Sequence, residues 1–119
     1  MISPETQVLR LLRKTANLLN SVAEAAWAAD ARSLARWDLH RIGTDAYLAQ
    51  RDILDMLGQP GLVAAPQADF DIAVALDEAA QAMATIPEEF QTLVTQRVQR
   101  QITSLAERAI AIRHAIQLR

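Results

Sequence analysis

The stretch "SLARWDLHRIGTDAYLAQRDILDML", Ser33 to Leu57, decides how this chain folds. Ala35, Leu39, Ile42, Ala46, Ala49, Ile53 and Met56 recur at alternating steps of four and three, the repeat that gathers side chains on one side of an α-helix. On the other side stand Trp37, His40, Thr44, Tyr47, Arg51 and Leu54. At about 100° per residue, Tyr47, Arg51 and Leu54 fall within about 40° of His40, with Trp37 and Thr44 at one edge and Gly43 close by. A solvated face does not ordinarily hold Trp, Tyr and Leu in line, and a glycine in mid-helix costs about 1 kcal/mol relative to alanine. Something is therefore expected to pack on this second face, or close to Gly43.

Three arrangements satisfy that expectation. The face is core, covered by another helix or a loop, with His40 and Tyr47 hydrogen-bonded internally. It is an intersubunit surface on which Trp37, Tyr47 and Leu54 meet another chain. Or it is the wall of a ligand or active site: a histidine moves protons near neutral pH, Tyr47 donates, Arg51 holds an anion and Trp37 supplies an apolar side.

The same periodicity runs outward from this helix. Ser3-Pro4-Glu5 combines a capping hydroxyl with a proline suited to the first helical turn, ahead of the stripe Val8, Leu12, Thr15, Leu19, Val22 and Ala26. Asp30 is the expected cap of the second helix, and Gly58 followed by Pro60 is its expected stop. Beyond a Gly- and Pro-bearing loop, Asp69 is expected to cap a shorter third helix with Ile72, Leu76, Ala79 and Met83 inward. Thr85-Ile86-Pro87-Glu88 reads as the capping box of a fourth, whose stripe is Val94, Val98, Ile102, Leu105, Ala109, Ile112 and Ile116. The expected helices are 4–29, 31–57, 69–84 and 87–117. They make a single all-α domain over 1–119, a four-helix antiparallel bundle of up-down-up-down order with a shorter third helix. In that order Trp27, Trp37, Met83, Ile86 and Phe90 plug one end, and Arg10, Arg13, Lys14, Arg108, Arg113 and Arg119 gather at one basic pole.

Composition agrees and excludes several functions. The chain has 119 residues, 51% of them hydrophobic, with three Gly and no Cys, which favours helix and removes disulfides and thiolate metal sites. No run of apolar residues is long enough for a membrane-spanning helix, and no secretory signal opens the chain, so a cytoplasmic location is expected. Residues 1–51 carry seven bases and five acids, residues 52–96 eight acids and no base, and residues 97–119 five Arg against Glu107. Nucleic-acid binders concentrate basic excess on one element, and the acidic middle argues against that class. The Glu-x-x-His pairs of di-metal bundles are missing, His40 and His114 lie on different helices, and no phosphate loop or nucleophile elbow is present. No metal site and no cofactor are expected. Asp38, Asp45 and Asp52, seven apart, read as a solvated ladder with Arg41 pairing to Asp45.

These features point first to an interaction or regulatory module that self-associates as a homodimer or joins a protein partner. The acidic third helix and the basic first and fourth can attract each other between copies. The alternative is a small cofactor-independent enzyme or ligand-binding protein for a small organic anion, with its site on the second helix.

Overall fold

The computed structural model describes residues 3–28, 34–58 and 71–117. Among these residues there are four α-helices and no strand: α1 (Pro4–Ala28), α2 (Leu34–Leu57), α3 (Ile72–Ala84) and α4 (Leu93–Gln117), with a one-turn 3-10 helix, Glu88–Phe90, before α4. α3 has 13 residues against 24 or 25 in the others.

The ends of the helices follow local chemistry. The Ser3 hydroxyl accepts the Thr6 N–H at 3.2 Å, closing the first turn of α1. Gly58 ends α2 with φ of 66°, the left-handed conformation that glycine adopts without Cβ strain. Asp30, Pro60 and Asp69 lie outside the described residues; the cap of α3 is Asp71, whose carboxylate accepts the Val74 N–H at 3.1 Å. α4 starts at Leu93 rather than at residue 87. The Thr85 hydroxyl donates back to the Ala82 carbonyl at 2.7 Å and so finishes α3 instead of opening α4. The capping box lies further on: Thr92 Oγ1 accepts the Thr95 N–H at 3.1 Å while Thr95 Oγ1 accepts the Thr92 N–H at 2.7 Å. Thr95 is buried, so Thr95→Val, which keeps the shape and strands the Thr92 N–H, is expected to cost about 1–2 kcal/mol in urea unfolding. An unchanged midpoint would show that this box is dispensable.

All six expected inward residues of α1 are buried, as are Ile42, Ala46, Ala49 and Ile53 of α2, Leu76, Ala79 and Met83 of α3, and Val98, Ile102, Leu105 and Ala109 of α4. All of these except Thr15 and Ala26 belong to one hydrophobic cluster. The helices meet extensively in the pairs α1–α2, α2–α4, α4–α3 and α3–α1. α2 therefore has α1 on one flank and α4 on the other.

Two ion pairs fix the relative direction of α2 and α4. Asp45 meets Arg108 at 2.8 Å and Asp52 meets Arg97 at 3.3 Å, so residue numbers rise along α4 as they fall along α2. The two helices are antiparallel, whereas the expected up-down-up-down order would make the second and fourth parallel. The physical reason is length: fourteen residues, Gly58 to Asp71, allow up to about 45 Å of chain, which does not force α3 to run opposite to α2 as a short turn would. The same pairs correct the charge ladder, because Asp45 and Asp52 hold α4 rather than Arg41.

Two further expectations fall with that order. Met83, Ile86 and Phe90 precede α4 and sit in or against the core at the end where α2 finishes, while Trp37 stands near the start of α2, so the five residues form no common plug. The five residues 29–33 between α1 and α2 reach about 20 Å at most, too little to recross helices about 36 Å long; α1 thus ends where α2 begins. α4 ends there too, so Arg10, Arg13 and Lys14 are at the opposite end from the α4 terminus. The basic pole is split. Arg119 and the Arg113 side chain are outside the description.

Candidate functional site

Because α2 is flanked on both sides, roughly half of its circumference is covered, and the second face divides. Gly43 turns to the α1 flank, and Leu54 is buried in the core. A Cβ built on Gly43 would stand 2.5 Å from Trp27 Nε1, 2.6 Å from Trp27 Cδ1 and 3.2 Å from the Ala23 carbonyl oxygen. The glycine is there because Trp27 of α1 lies across it. Ala16 and Ala23 of α1 and Ala46 and Ala49 of α2 are buried as well. The Trp27 and Tyr47 rings then meet with centroids 5.9 Å apart and planes inclined at 47°, a tilted aromatic contact. Leu54 belongs to the core, at 6% exposure.

The rest of the face is outside. Trp37 is 70% exposed, Trp27 45% and Tyr47 39%, and His40, Thr44 and Arg51 are exposed. The Thr44 hydroxyl is spent on its own helix, donating to the His40 carbonyl at 3.1 Å. Among the described residues no hydrogen bond joins His40, Tyr47 and Arg51, so the structure does not link them into one donor–acceptor set. What it brings together is a surface arc: Trp37 near the start of α2, His40 and Thr44 next, then Tyr47 braced by Trp27, then Arg51. Among the described residues no three His, Asp or Glu side chains are grouped as metal ligands would be.

A second feature escaped the sequence. Between α2 and α4 runs a groove of about 410 Å³ lined by Asp45, Leu48, Arg100, Gln101, Ser104, Leu105 and Arg108. Leu48 and Leu105 are its apolar lining, Asp45 and Arg108 line it as an ion pair, and Arg100 makes no ion pair among the described residues. Both members of each cross-helix pair are partly exposed, which limits such a pair to about 0–1 kcal/mol; their main effect is to set register. The only trace of the groove in the sequence is two sets of opposite charge, Asp45 and Asp52 against Arg97 and Arg108, on helices whose adjacency no local pattern reveals.

No helix among the described residues is long and apolar enough to cross a membrane. Comparison with protein-family models, with curated proteins and with solved structures found no match to this chain.

Proposed function

We propose that the chain is a single-domain interaction module that pairs with a second copy of itself through the outward side of α2. The observation that carries this reading is Trp37, a large aromatic left mostly in water on a regular helix, since exposed aromatic surface of this kind is typical of contacts between chains. Leu48 lies on the same side and is half exposed. Trp37, Arg41, Thr44, Leu48, Arg51 and Asp55 recur at steps of four and three, so they form a continuous seam along α2. In an antiparallel pairing about a twofold axis at Leu48, each Leu48 meets its counterpart, and Arg41 lies opposite Asp55 of the partner subunit. Both residues are seven positions from the axis. An isologous dimer makes every such contact twice.

Light scattering with charge reversal tests this. Arg41→Glu alone and Asp55→Arg alone are expected to weaken dimerisation about tenfold, and the double variant to restore it, the sign of a direct contact. Trp37→Ala is expected to cost more than about 1 kcal/mol of association with the monomer still helical. A strict monomer at tens of micromolar, at low and high salt alike, overturns the reading.

The α2–α4 groove favours a second reading, in which a small organic anion is bound, or converted without a cofactor, beside Arg100, Ser104 and the Asp45–Arg108 pair. A rise in melting temperature with one member of a carboxylate and phosphate panel, lost in Arg100→Gln, would support it.

A further inference from the structure

We infer that α1 carries an anion-binding surface, separate from the outward side of α2 and from the α2–α4 groove, suited to a small ligand with two or more linked phosphate groups. Arg10, Arg13 and Lys14 stand at i, i+3 and i+4, which places their Cβ atoms about 5–6 Å apart on one side of a helix. Three like charges so placed repel, and no acid occurs three or four residues from any of them to offset this. Nor does the fold supply one. Arg97 and Arg108 are both ion-paired, whereas among the described residues Arg10, Arg13 and Lys14 have no acidic partner.

These three side chains line, with Asn17, Leu18 and Ser21, a concavity of about 400 Å³ along α1. Ser21 is the second, independent sign of a site. It is only 8% exposed, yet its hydroxyl makes no hydrogen bond among the described residues. Among the described residues no buried side-chain oxygen or nitrogen is left without a partner, so this hydroxyl keeps access to solvent, and Ser21 lines the concavity. An almost covered residue thus offers one unused donor at the end of a row of unpaired cations.

The donor set selects the ligand. A single carboxylate can satisfy one guanidinium fork, leaving two cations uncompensated. A short phosphate chain carries negative charge at each phosphorus, so that the forks of Arg10 and Arg13 and the ammonium of Lys14 are matched together. Asn17 and Ser21 then donate to the remaining oxygens, with Leu18 as the apolar edge.

Titration calorimetry with inorganic triphosphate, inorganic phosphate and a mixed-sequence single-stranded DNA tests this, with helicity of each variant checked by circular dichroism. Triphosphate is expected to bind at low salt at least tenfold more tightly than phosphate. Arg13→Gln and Lys14→Gln should each weaken it about tenfold, and Ser21→Ala about tenfold through loss of a hydrogen bond to a charged acceptor. Alanine is a stronger helix former than serine, so the last variant is expected to remain folded. Arg100→Gln, in the other groove, should leave binding unchanged. Absence of triphosphate binding, an equal loss in Arg100→Gln, or an unaltered Ser21→Ala would overturn the assignment. Tighter binding of the DNA with the same variant sensitivity would also overturn it, in favour of nucleic acid.

Discussion

Leu54→Ala is expected to lower the unfolding free energy by about 3 kcal/mol, whereas Arg51→Ala, one helical turn earlier on the same side of α2, should change it by less than about 0.5 kcal/mol. The two side chains are only about 60° apart around the helix, yet one is buried and the other exposed. Leu54 is buried in the central cluster. The core is rich in alanine, including Ala16, Ala23, Ala46 and Ala49, and an alanine has no side-chain length with which to refill a vacated space. The cavity left by Leu54→Ala should thus persist, placing the cost in the middle of the usual range for such truncations, about 2–5 kcal/mol. For a domain whose whole stability is of order 5–15 kcal/mol, that is a substantial loss. Urea unfolding followed by circular dichroism measures it. A Leu54→Ala midpoint within 1 kcal/mol of the parent would return this residue to the exposed face and undo the division between core and surface drawn along α2.

That division shows what a sequence of this kind reveals and what it withholds. The stripes of α1, α3 and α4 are legible because burial against a single direction repeats every three to four residues within one segment. By angle alone, Leu54 and Gly43 fall on a second face of α2. Deciding what met them required knowing that α2 has a neighbour on each flank. Gly43 signalled a close approach, but the group making it, Trp27, lies sixteen residues away, and no local rule names it.

α4 starts later than its first capping signal, at Leu93, for a different reason. Two Thr-containing capping signals occur within a dozen residues, and the choice between them was made when the Thr85 hydroxyl closed α3. Helix direction is least legible of all. It depends on Asp45 and Asp52 meeting Arg108 and Arg97, and opposite charges on two helices are compatible with either orientation until the connection between them is traced.

Gly43→Ala is expected to destabilise the protein by about 1 kcal/mol although alanine is the better helix former by about the same amount. The new methyl would stand 2.5 Å from Trp27 Nε1, a separation that forces the indole off the helix and away from Tyr47. The steric term must therefore exceed the propensity gain, in the range of about 1–3 kcal/mol typical of overpacking. The test is a cycle with Trp27→Ala. With the indole removed, the main obstacle to the methyl disappears and the helix propensity of alanine is recovered, so the double variant should be about 2 kcal/mol more stable than the sum of the single changes predicts. The Ala23 carbonyl oxygen, 3.2 Å from the same point, is present with and without Trp27 and largely cancels from the coupling. Free energies that add to within about 0.5 kcal/mol, as they do for distant sites, would mean that the indole does not rest on Gly43. The contact between Trp27 and Tyr47, and the bracing of the exposed arc of α2 by α1, would then have to be abandoned as well.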